Sequence, residues 1–488
     1  MRLILRLDGR ALRRFHLELA QALAVHGDVR VKIEDEGAGA PMPRAAASYF
    51  AFEALIFGLA AQPRSAPVER AVFAAFAPAP AGPDDLVIDL AGRGPAAHGK
   101  TWRLSFDGAS GDGALLASLA RGRAPLAALT ESGRIIAAGR LGTESNGILS
   151  ASFEDALARV TTLLVAAVGG SPSGAELRGE TAAPMPTNAR LALRGAKSRA
   201  RQIARRAYSL AYETPHWRVG WRRLAGPDVI DLKRHPDSGW TDLPDDSRRF
   251  YADPFPILHG GRVTLFVEDF VHRLGRGVIS AVEFGADGPL GRPEPVLELP
   301  VHLSYPFVFA RDGEVWMIPE SCAAGTIDLY RATRFPGGWV KEATLVSGVT
   351  ASDATLLELE GRWWLFATVK AGGGSFSDAL FLWSALDFRG PWTAHKRNPV
   401  LIDIASARPA GRITARGCAL WRPVQDCRGG YGHALALARI TRLDDEGYSQ
   451  RVETVLTAGP LWPGRRLHTL NAAGGFEFID GSGTARRF

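Results

Sequence analysis

The sequence predicts two domains of different class, an N-terminal α/β domain and a C-terminal all-β, five-bladed propeller. Three observations lead to this prediction. Across residues 1–170, apolar patterns typical of strands alternate with patterns typical of helices. From residue 216 to the end, short alternating strands follow one another, and a repeat of roughly 50–60 residues recurs. Eleven of the twelve tryptophans lie after residue 200, so the composition changes where the pattern changes.

The length and composition restrict the class of protein. A chain of 488 residues is long enough for two or three domains that each bury a core. The 46% hydrophobic content and the net charge of +7 exclude extensive disorder. Three cysteines (Cys322, Cys418 and Cys427) are too few for a disulfide framework and lack the spacing of a zinc site. Together with an N-terminus that has no signal-peptide pattern, they predict a cytoplasmic protein.

The α/β domain is predicted over residues 1–170. Strand patterns occupy 1–7, 28–35, 85–92, 102–108, 125–132 and 133–142, and helical patterns occupy 11–27, 48–60 and 152–168. Strands separated by helices imply βαβ units and a mainly parallel sheet. The apolar stretch 49–61 carries Glu53 and is shorter than the roughly 20 residues of a membrane span. We expect it to form a buried helix.

A basic linker is predicted over residues 171–215. Between Thr187 and Tyr212 there are seven basic residues and no acidic residue. These seven charges account for the whole net charge of +7. The rest of the sequence is close to neutral and therefore does not predict a surface that binds nucleic acid. Two interpretations stay open. The segment is a solvated connecting helix, or it contacts an anionic membrane surface or an acidic partner and makes the protein peripheral to a membrane.

The propeller is predicted over residues 216–488. Five segments open the repeats, at 251–261, 303–313, 352–361, 415–426 and 468–481. Five openings imply five blades. The last repeat is one strand short, and we predict that residues 217–224 supply that strand and close the ring.

Several carboxylates are predicted to meet in the propeller's central funnel. Asp253 and Asp353 lie at blade openings, where the innermost strands begin. Glu320 ends the second strand of blade two, and Glu268 and Asp269 end the equivalent strand of blade one. Glycosidic chemistry needs one carboxylic acid and one carboxylate. Crowding raises the pKa of one member, so that it stays protonated near neutral pH.

These motifs resemble two related families. Residues 245–480 contain YADPF, SYPF, PES, SDATLLE, RPAGR and RGCALWRPVQDC. They resemble the propellers of the arabinanase/β-xylosidase and invertase/levansucrase superfamily and, more closely, the N-terminal domain of glucosamine inositolphosphorylceramide transferases and their bacterial relatives. The resemblance implies that Asp253 is the base or nucleophile, with Glu320 as the candidate acid and Asp353 as the orienting carboxylate. Blade two departs from the hydrolases, because it opens with Ser304, Tyr305 and Pro306 where they usually have an acidic residue.

Further residues are predicted to bind substrate. An arginine cluster suits an acidic sugar or a sugar phosphate, because the guanidinium grips such groups bidentately; ion pairing with the funnel carboxylates is the alternative. The candidates are Tyr305, Arg408, Arg412, Arg416, Gln425, Asp426 and His468, with Arg422 and Tyr431 nearby. No metal and no cofactor are predicted.

The N-terminal domain resembles the formyltransferase fold of methionyl-tRNA and sugar N-formyltransferases, chiefly over residues 133–168. Those enzymes rely on an Asn, a His and an Asp. The segment 102–108 has no histidine, His98 lies just upstream, and the Asp-x-Gly motif is replaced by Ser145, Asn146 and Gly147. The departures predict a degenerate domain that binds a ligand or the propeller, or one that is purely structural.

Three functions remain open from the sequence. The first is a carbohydrate-active enzyme, of glycoside-hydrolase or glycosyltransferase type, that cleaves or transfers glycosyl units in surface-glycan biosynthesis. Because we expect no counterpart of the separate glycosyltransferase-like domain of the plant members, the second is a non-catalytic glycan-binding scaffold that works beside a glycosyltransferase. The third is an N-formyl-type transferase whose propeller recruits the substrate. The partner in the first two is a glycan or sugar phosphate, not nucleic acid.

Overall fold

The computed structural model describes residues 2–59, 63–76, 82–96, 98–145, 147–171, 181–462 and 464–487. The chain forms two compact units. The first comprises Met1–Ile203, Ala371–Asp378 and Lys396–Ile404, and the second comprises Ala204–Lys370, Ala379–His395 and Ala405–Phe488. Two short segments within the sequence of the third repeat therefore belong with the N-terminal unit.

The first unit is built on one six-stranded sheet. Its strands are Arg2–Asp8, Asp28–Glu34, Leu86–Asp89, Lys100–Phe106, Leu126–Glu131 and Arg134–Arg140. The order across the sheet is second, first, third, fourth, fifth, sixth, with the first four strands parallel and the last two antiparallel to their neighbours. Leu3, Ile4 and Leu5 on the first strand are all buried although neighbouring side chains point to opposite faces, as expected for a parallel strand covered on both faces.

Helices cover this sheet. They are Arg14–Leu23, Ala45–Phe57, Asp112–Ala120 and Leu149–Val168, with a 3₁₀ turn at Arg70–Phe73. The 20-residue helix Leu149–Val168 buries Phe153, Leu157, Val160 and Leu164. These residues recur at the spacing of one helical face, so this helix supplies much of the core.

Residues 49–61 were expected to form a buried helix, but most residues of the helix found there are not buried. The segment does form a helix, Ala45–Phe57, but only Ala46, Tyr49 and Glu53 are buried, and Leu55 is 84% exposed. The charged residue is buried because it caps another helix: Glu53 accepts hydrogen bonds from the backbone N–H groups of Leu149 (3.1 Å) and Ser150 (2.7 Å). A carboxylate at a helix N-terminus satisfies free N–H groups and matches the positive end of the helix dipole.

The basic segment forms a helix over Asn188–Ala211; the predicted linker also includes residues 172–180, which lie outside the described residues. The helix begins in the first unit and ends in the second. It buries only Leu191 and Gly195. No helix among the described residues is both long enough and apolar enough to cross a membrane.

The second unit contains five antiparallel sheets, which confirms the five-bladed propeller. Blade one consists of Arg249–His259, Arg262–Val271, Arg276–Gly285, Gly288–Pro289 and Glu294–Leu297. Blade two consists of Ser304–Arg311, Glu314–Glu320, Thr326–Arg334 and Gly337–Ser347. Blade three consists of Ala351–Leu359, Arg362–Val369, Ala379–Ala385 and Thr393–Ala394. Blade four consists of Thr414–Arg416, Ala419–Asp426, Ala434–Asp444 and Gly447–Leu456.

The predicted closure of the ring is also confirmed. Blade five combines Leu470–Ala473 and Phe476–Ser482 with Trp217–Arg223 and Thr241–Asp242. Strand Trp217–Arg223 pairs antiparallel with Phe476–Ser482 along its whole length. Residues from both ends of the propeller sequence therefore share one sheet, which closes the ring of blades. The chain also forms the short elements Tyr212–Glu213, Val229–Leu232, Cys322–Ala324, Leu401–Ile402 and Ala485–Arg486.

Candidate functional site

Equivalent positions of the five blades bring polar side chains together at one end of the innermost strands. Near its end, the second strand of each blade carries a polar residue at an equivalent position, and these residues are Glu268, Glu320, Thr368, Gln425 and Asp480. Each lies beside the beginning of its blade's innermost strand, as the pairs Ala252–Glu268, Ser304–Glu320 and Ser352–Thr368 show. The blade repeat itself therefore arranges these residues as a ring.

The innermost strands of blades one to three carry a β-bulge at the same position. The strand register shifts between Ala252 and Phe255, between Ser304 and Phe307, and between Ser352 and Thr355. Within the bulges Asp253, Tyr305 and Asp353 adopt left-handed backbone conformations, with φ of 49°, 42° and 58°. Residues other than glycine rarely adopt this conformation, and bulges of this kind re-aim groups beside functional sites.

The bulges direct three backbone N–H groups at carboxylates. Asp253 N donates to Asp480 Oδ2 (2.7 Å), Tyr305 N donates to Asp253 Oδ2 (3.1 Å), and Asp353 N donates to Glu320 Oε2 (3.2 Å). All three bonds connect neighbouring blades: five to one, one to two, and two to three. The strained backbone thus holds the carboxylates in place.

Asp253, His468 and Asp480 form one half of the cluster. His468 Nδ1 lies 2.9 Å from Asp480 Oδ2 and 3.3 Å from Asp253 Oδ1, and the Thr469 hydroxyl donates to Asp253 Oδ1 at 2.7 Å. Burial alone would lower the pKa of His468, but the carboxylates of Asp480 and Asp253 raise it to about 9. Burial raises the pKa of Asp253 to about 6, although the nearby His468 opposes that rise. His468 is therefore an imidazolium at neutral pH, and Asp253 is ionised above about pH 6.

Glu320, Asp353 and Arg408 form the other half. Arg408 donates to both carboxylate oxygens of Asp353, at 2.6 Å and 3.3 Å, and lies 3.7 Å from Glu320 Oε2. The amide of Gln425 also donates to Asp353, at 3.2 Å. Burial, followed by the charge of Asp353, raises the pKa of Glu320 well above its usual range. A protonated Glu320 beside a tightly held Asp353 is the arrangement that a general acid requires.

Glu268 is a second buried acid at the cluster. Its Oε1 lies 3.5 Å from His302 Nε2. Burial, followed by the charges of Asp253 and Glu320, raises its pKa well above the usual range. The structure thus holds two carboxyl groups that favour the protonated state, Glu268 and Glu320, on equivalent strands of neighbouring blades.

An aromatic group lies beside the cluster. Tyr431 is 38% exposed and its hydroxyl hydrogen-bonds Nε2 of His468. The Arg408 guanidinium carbon lies 4.8 Å from the centre of the Tyr431 ring. Trp217 packs against both Tyr431 and His468, with ring centres 5.8 Å and 4.8 Å away. Tyr431 is therefore an exposed member of this cluster, and its hydroxyl contacts the buried imidazolium.

One set of residues has the geometry of a metal site. Within the described ranges, ligand atoms of Asp253, His468 and Asp480 lie within 4.8 Å of one another. These atoms already hydrogen-bond one another through Nδ1 of His468. A cation would have to displace the Nδ1 proton, and the raised pKa of His468 opposes this exchange.

The structure brings six of the ten predicted site residues together: Asp253, Glu320, Asp353, Arg408, Gln425 and His468. Tyr305 contributes its backbone N–H, whereas its hydroxyl contacts Thr355 at 2.9 Å and accepts a hydrogen bond from Gly411 N at 2.8 Å. Asp426 is buried next to Gln425 and forms an ion pair with Arg428 at 2.6 Å.

Two predicted arginines lie elsewhere in the propeller. Arg412 is enclosed by aromatic rings, 4.9 Å from Phe307 and 5.8 Å from Phe255, and donates to the Val308 carbonyl. Arg416 pairs with Asp228 and Asp231 near a short helix. Arg422 donates to the carbonyls of Ser406 and Ala407. The four arginines therefore do not form one anion-binding cluster, because three have separate structural partners and Arg408 is engaged by carboxylates.

Sequence reasoning did not include Asp480 and Thr469 among the site residues. A signal for Asp480 was present: FEFID ends its apolar strand with an acid, as RVTLFVE and EVWMIPE do in blades one and two. Thr469 had no comparable signal, because its role depends on the approach of blade five to blade one.

The first unit contains a separate cleft of about 930 Å³. Its lining is largely apolar and includes Met42, Phe50 and Leu59, with Arg13 and Glu154 among the charged groups. His98 is exposed and is not part of this lining. Asn146, in the altered Asp-x-Gly motif, lies outside the described residues. The formyltransferase resemblance therefore stays a prediction.

Comparison with known proteins identifies similar sequences for the propeller. Residues 242–474 match the family model described as glucosamine inositolphosphorylceramide transferase 1, N-terminal. A protein of that name from Oryza sativa subsp. japonica is 34% identical over 232 residues, which cover 46% of this chain and 31% of the relative. The namesake from Arabidopsis thaliana is 32% identical over 262 residues, covering 51% and 33%. The matched part thus spans about a third of the length of these relatives.

Solved structures with similar folds share little sequence. A family 43 β-xylosidase/α-arabinofuranosidase from a compost microbial metagenome is 10% identical, with a TM-score of 0.36, over 49% of this chain and 91% of that one. A family 117 glycoside hydrolase of Zobellia galactanivorans is 13% identical, with a TM-score of 0.35, over 54% and 90%. The five-bladed architecture of this chain rests on its own strand pairing, and the sequence similarity of residues 242–474 connects it to the N-terminal part of the glucosamine inositolphosphorylceramide transferases.

Proposed function

We propose that the carboxylate cluster of the propeller is the active site of a carbohydrate-active enzyme that cleaves or transfers a glycosyl unit. The observation that carries the proposal is the contrast between two carboxyl groups. Burial raises the pKa of Asp253 to about 6, whereas burial and the charge of Asp353 raise the pKa of Glu320 well above its usual range. Environments that separate two carboxyl pKa values in this way assign one group as base and the other as acid. The name of the matched relatives, which are called glucosamine inositolphosphorylceramide transferases, supports glycosyl chemistry.

In the proposed reaction Glu320 gives its proton to the leaving glycosidic oxygen as the bond from that oxygen to the anomeric carbon breaks. The Asp253 carboxylate either attacks the anomeric carbon or removes a proton from the attacking hydroxyl or water. The hydrogen bonds from Tyr305 N and Thr469 Oγ1 fix the orientation of Asp253. Asp353 keeps Arg408 beside Glu320. Arg408 is thus an orienting group rather than the binding site for an anionic substituent.

The test compares variants on glycosides with good and poor leaving groups. A 4-nitrophenolate leaving group departs without protonation, whereas the alkoxide of a methyl glycoside needs a general acid. We expect Asp253→Asn to abolish turnover of both kinds of glucosaminide, xyloside and arabinoside. Glu320→Gln should abolish turnover of the methyl glycosides but retain much of that of the 4-nitrophenyl glycosides. Loss of at least about 100-fold is the size expected for removing a general acid.

Two further variants make the test specific. Glu268→Gln removes the other carboxyl group whose pKa is raised. If this variant, and not Glu320→Gln, loses activity only on the methyl glycosides, the acid is Glu268. Asp269→Asn is the matched control for Glu268→Gln. Asp269 is buried on the same strand as Glu268, but it points to the opposite face of the sheet and pairs with Arg249 at 2.9 Å. Turnover that survives Asp253→Asn on every glycoside would refute a catalytic propeller.

A second candidate function is a glycan-binding scaffold without catalysis. Tyr431 favours it, because an exposed aromatic ring beside polar side chains suits stacking against a sugar ring. If the propeller is such a scaffold, the wild type and all variants show no turnover, and Asp253→Asn still binds the glycan. Calorimetry measures the binding of a panel of oligosaccharides to the full chain and to Tyr431→Ala. Binding that depends on Tyr431, without turnover of any glycoside, favours the scaffold.

A further inference from the structure

The basic helix Asn188–Ala211 exposes a continuous apolar face. At 3.6 residues per turn, seven alanines together with Leu193, Ile203 and Leu210 fall within about a third of its circumference. Every one of these ten residues is exposed, and Leu193, Ile203 and Leu210 are exposed by 55%, 62% and 73%. Large apolar side chains at three points along one face of a helix are not explained by the fold, because none of them packs in a core.

Basic side chains border this face on both sides. Arg190, Lys197 and Arg201 lie along one edge, and Arg199 and Arg206 lie along the other, by the same helical spacing. All five are exposed. The helix contains seven basic residues and no acidic residue, so an apolar stripe with positive charge on either side runs along its length.

The helix is attached to the first unit by a different side. Leu191 belongs to the hydrophobic core of that unit. Gly195 is buried beside Tyr49, and a Cβ at this position would lie only 3.2 Å from the Tyr49 ring. Arg194 donates to the Ala120 carbonyl at 2.7 Å. By helical spacing, these residues lie on the side of the helix opposite the exposed apolar face. The apolar face is consequently available to a partner while the helix stays folded.

We propose that this helix binds the surface of an anionic lipid bilayer and lies parallel to it. The apolar face enters the boundary between headgroups and acyl chains, and the arginines and the lysine at its edges reach lipid phosphates and other anionic headgroups. Tyr208 and Tyr212, stacked at 4.5 Å at the helix end, suit the headgroup region. Nucleic acid complements the charge but not the apolar stripe, and an apolar protein groove complements the stripe but not seven positive charges. This inference does not depend on the proposed glycosyl chemistry.

Vesicle co-sedimentation of the full chain tests the charge. We expect binding to phosphatidylcholine vesicles that contain about a third phosphatidylglycerol and little binding to phosphatidylcholine alone. Arg199→Gln with Arg201→Gln removes one charge from each edge and should lower the partition coefficient roughly 25-fold, at about fivefold per charge. Arg292→Gln with Arg334→Gln removes two exposed charges from the propeller and should leave binding unchanged.

A second variant tests insertion of the apolar face. Leu193→Ser with Ile203→Ser keeps every charge and replaces two exposed side chains, so folding is unaffected, and binding should fall at least about tenfold. Unchanged binding in this variant would show adherence through charge alone and overturn the proposal. Equal binding to neutral vesicles, or tighter binding of a labelled single-stranded oligonucleotide at the same salt concentration, would also overturn it.

Discussion

The imidazolium of His468 makes the stability of the propeller depend on pH in a calculable way. His468 is buried between Asp480 and Asp253, and these carboxylates raise its pKa from 6.5 to about 9 against the effect of burial. The folded state therefore binds this proton more tightly than the unfolded state. Its contribution is complete below pH 6.5 and is lost as the pH rises to about 9. The difference of about 2.5 pH units, at about 1.4 kcal/mol each, gives about 3 kcal/mol.

The perturbation is His468→Gln, which keeps hydrogen-bonding groups at the site but cannot carry the charge. Urea unfolding at pH 6.5 and pH 9, followed by tryptophan fluorescence, measures the effect. The signal reports the second unit, because eleven of the twelve tryptophans lie in it and only Trp102 lies outside. The wild-type free energy of unfolding should fall by about 3 kcal/mol more than that of the variant.

The comparison between the two proteins removes the titrations of groups that do not interact with His468. In the wild type, the raised pKa of Asp253, at about 6, makes stability fall mainly between pH 3.8 and 6, below the measured window. In the variant the pKa of Asp253 is higher still, because the imidazolium that opposes its rise is absent, so the expected difference of about 3 kcal/mol is an upper limit. Glu268 and Glu320 also lose protons as the pH rises, since their pKa values are raised, but they do so in both proteins. Equal losses of stability in the wild type and His468→Gln would refute the charged histidine.

Two other predictions concern activity and the first unit. If Asp253 is the base and Glu320 the acid, kcat/KM should rise as the pH increases through about 6 and fall again at higher pH as Glu320 deprotonates, and a flat or purely rising profile would contradict the assignment. Arg159 and Asp378 form a fully buried ion pair at 2.7 Å. Arg159→Met should therefore lower stability by about 3–5 kcal/mol, since it leaves a buried carboxylate unpaired. Faster hydrogen exchange in helix Leu149–Val168 measures this loss, the exposed Arg134→Met is the control, and no change in exchange would contradict the prediction.

The propeller could be predicted from sequence because each blade is a local pattern. Alternating apolar residues and glycine turns lie within single repeats, so five openings sufficed to predict five blades. Even the closure by Trp217–Arg223 followed from counting, because the last repeat lacked a strand that only the segment before the first blade supplied. None of these steps required knowledge of contacts between blades.

The arrangement of the site depends on contacts that no local pattern encodes. Asp253, Glu320 and Asp353 were found because they end or begin strands. The bulges were not predicted, although a register shift of one residue reverses the face to which a side chain points. Thr469 likewise reaches Asp253 only because blades one and five are neighbours in space.

The boundary between the two units shows the same limit. The segments 371–378 and 396–404 lie within a propeller repeat in sequence but belong with the first unit. Asp378 pairs there with Arg159, and Ile402 joins the hydrophobic core of that unit. Apolar content likewise failed for helix Ala45–Phe57, where Glu53 is buried and Leu55 is exposed, because the need to cap a neighbouring helix outweighed hydropathy.

The composition of the cluster connects its proposed chemistry to its cost in stability. Five acidic side chains (Asp253, Glu268, Glu320, Asp353 and Asp480) meet two cations, Arg408 and His468. Seven ionised groups would leave an excess of buried negative charge, which a buried site opposes strongly. Protons on Glu268 and Glu320 relieve that excess, and a retained proton is also what a general acid must offer. A propeller that needed only rigidity would gain more from apolar residues at these positions, so the excess of carboxyl groups over cations argues for a site that acts on a ligand.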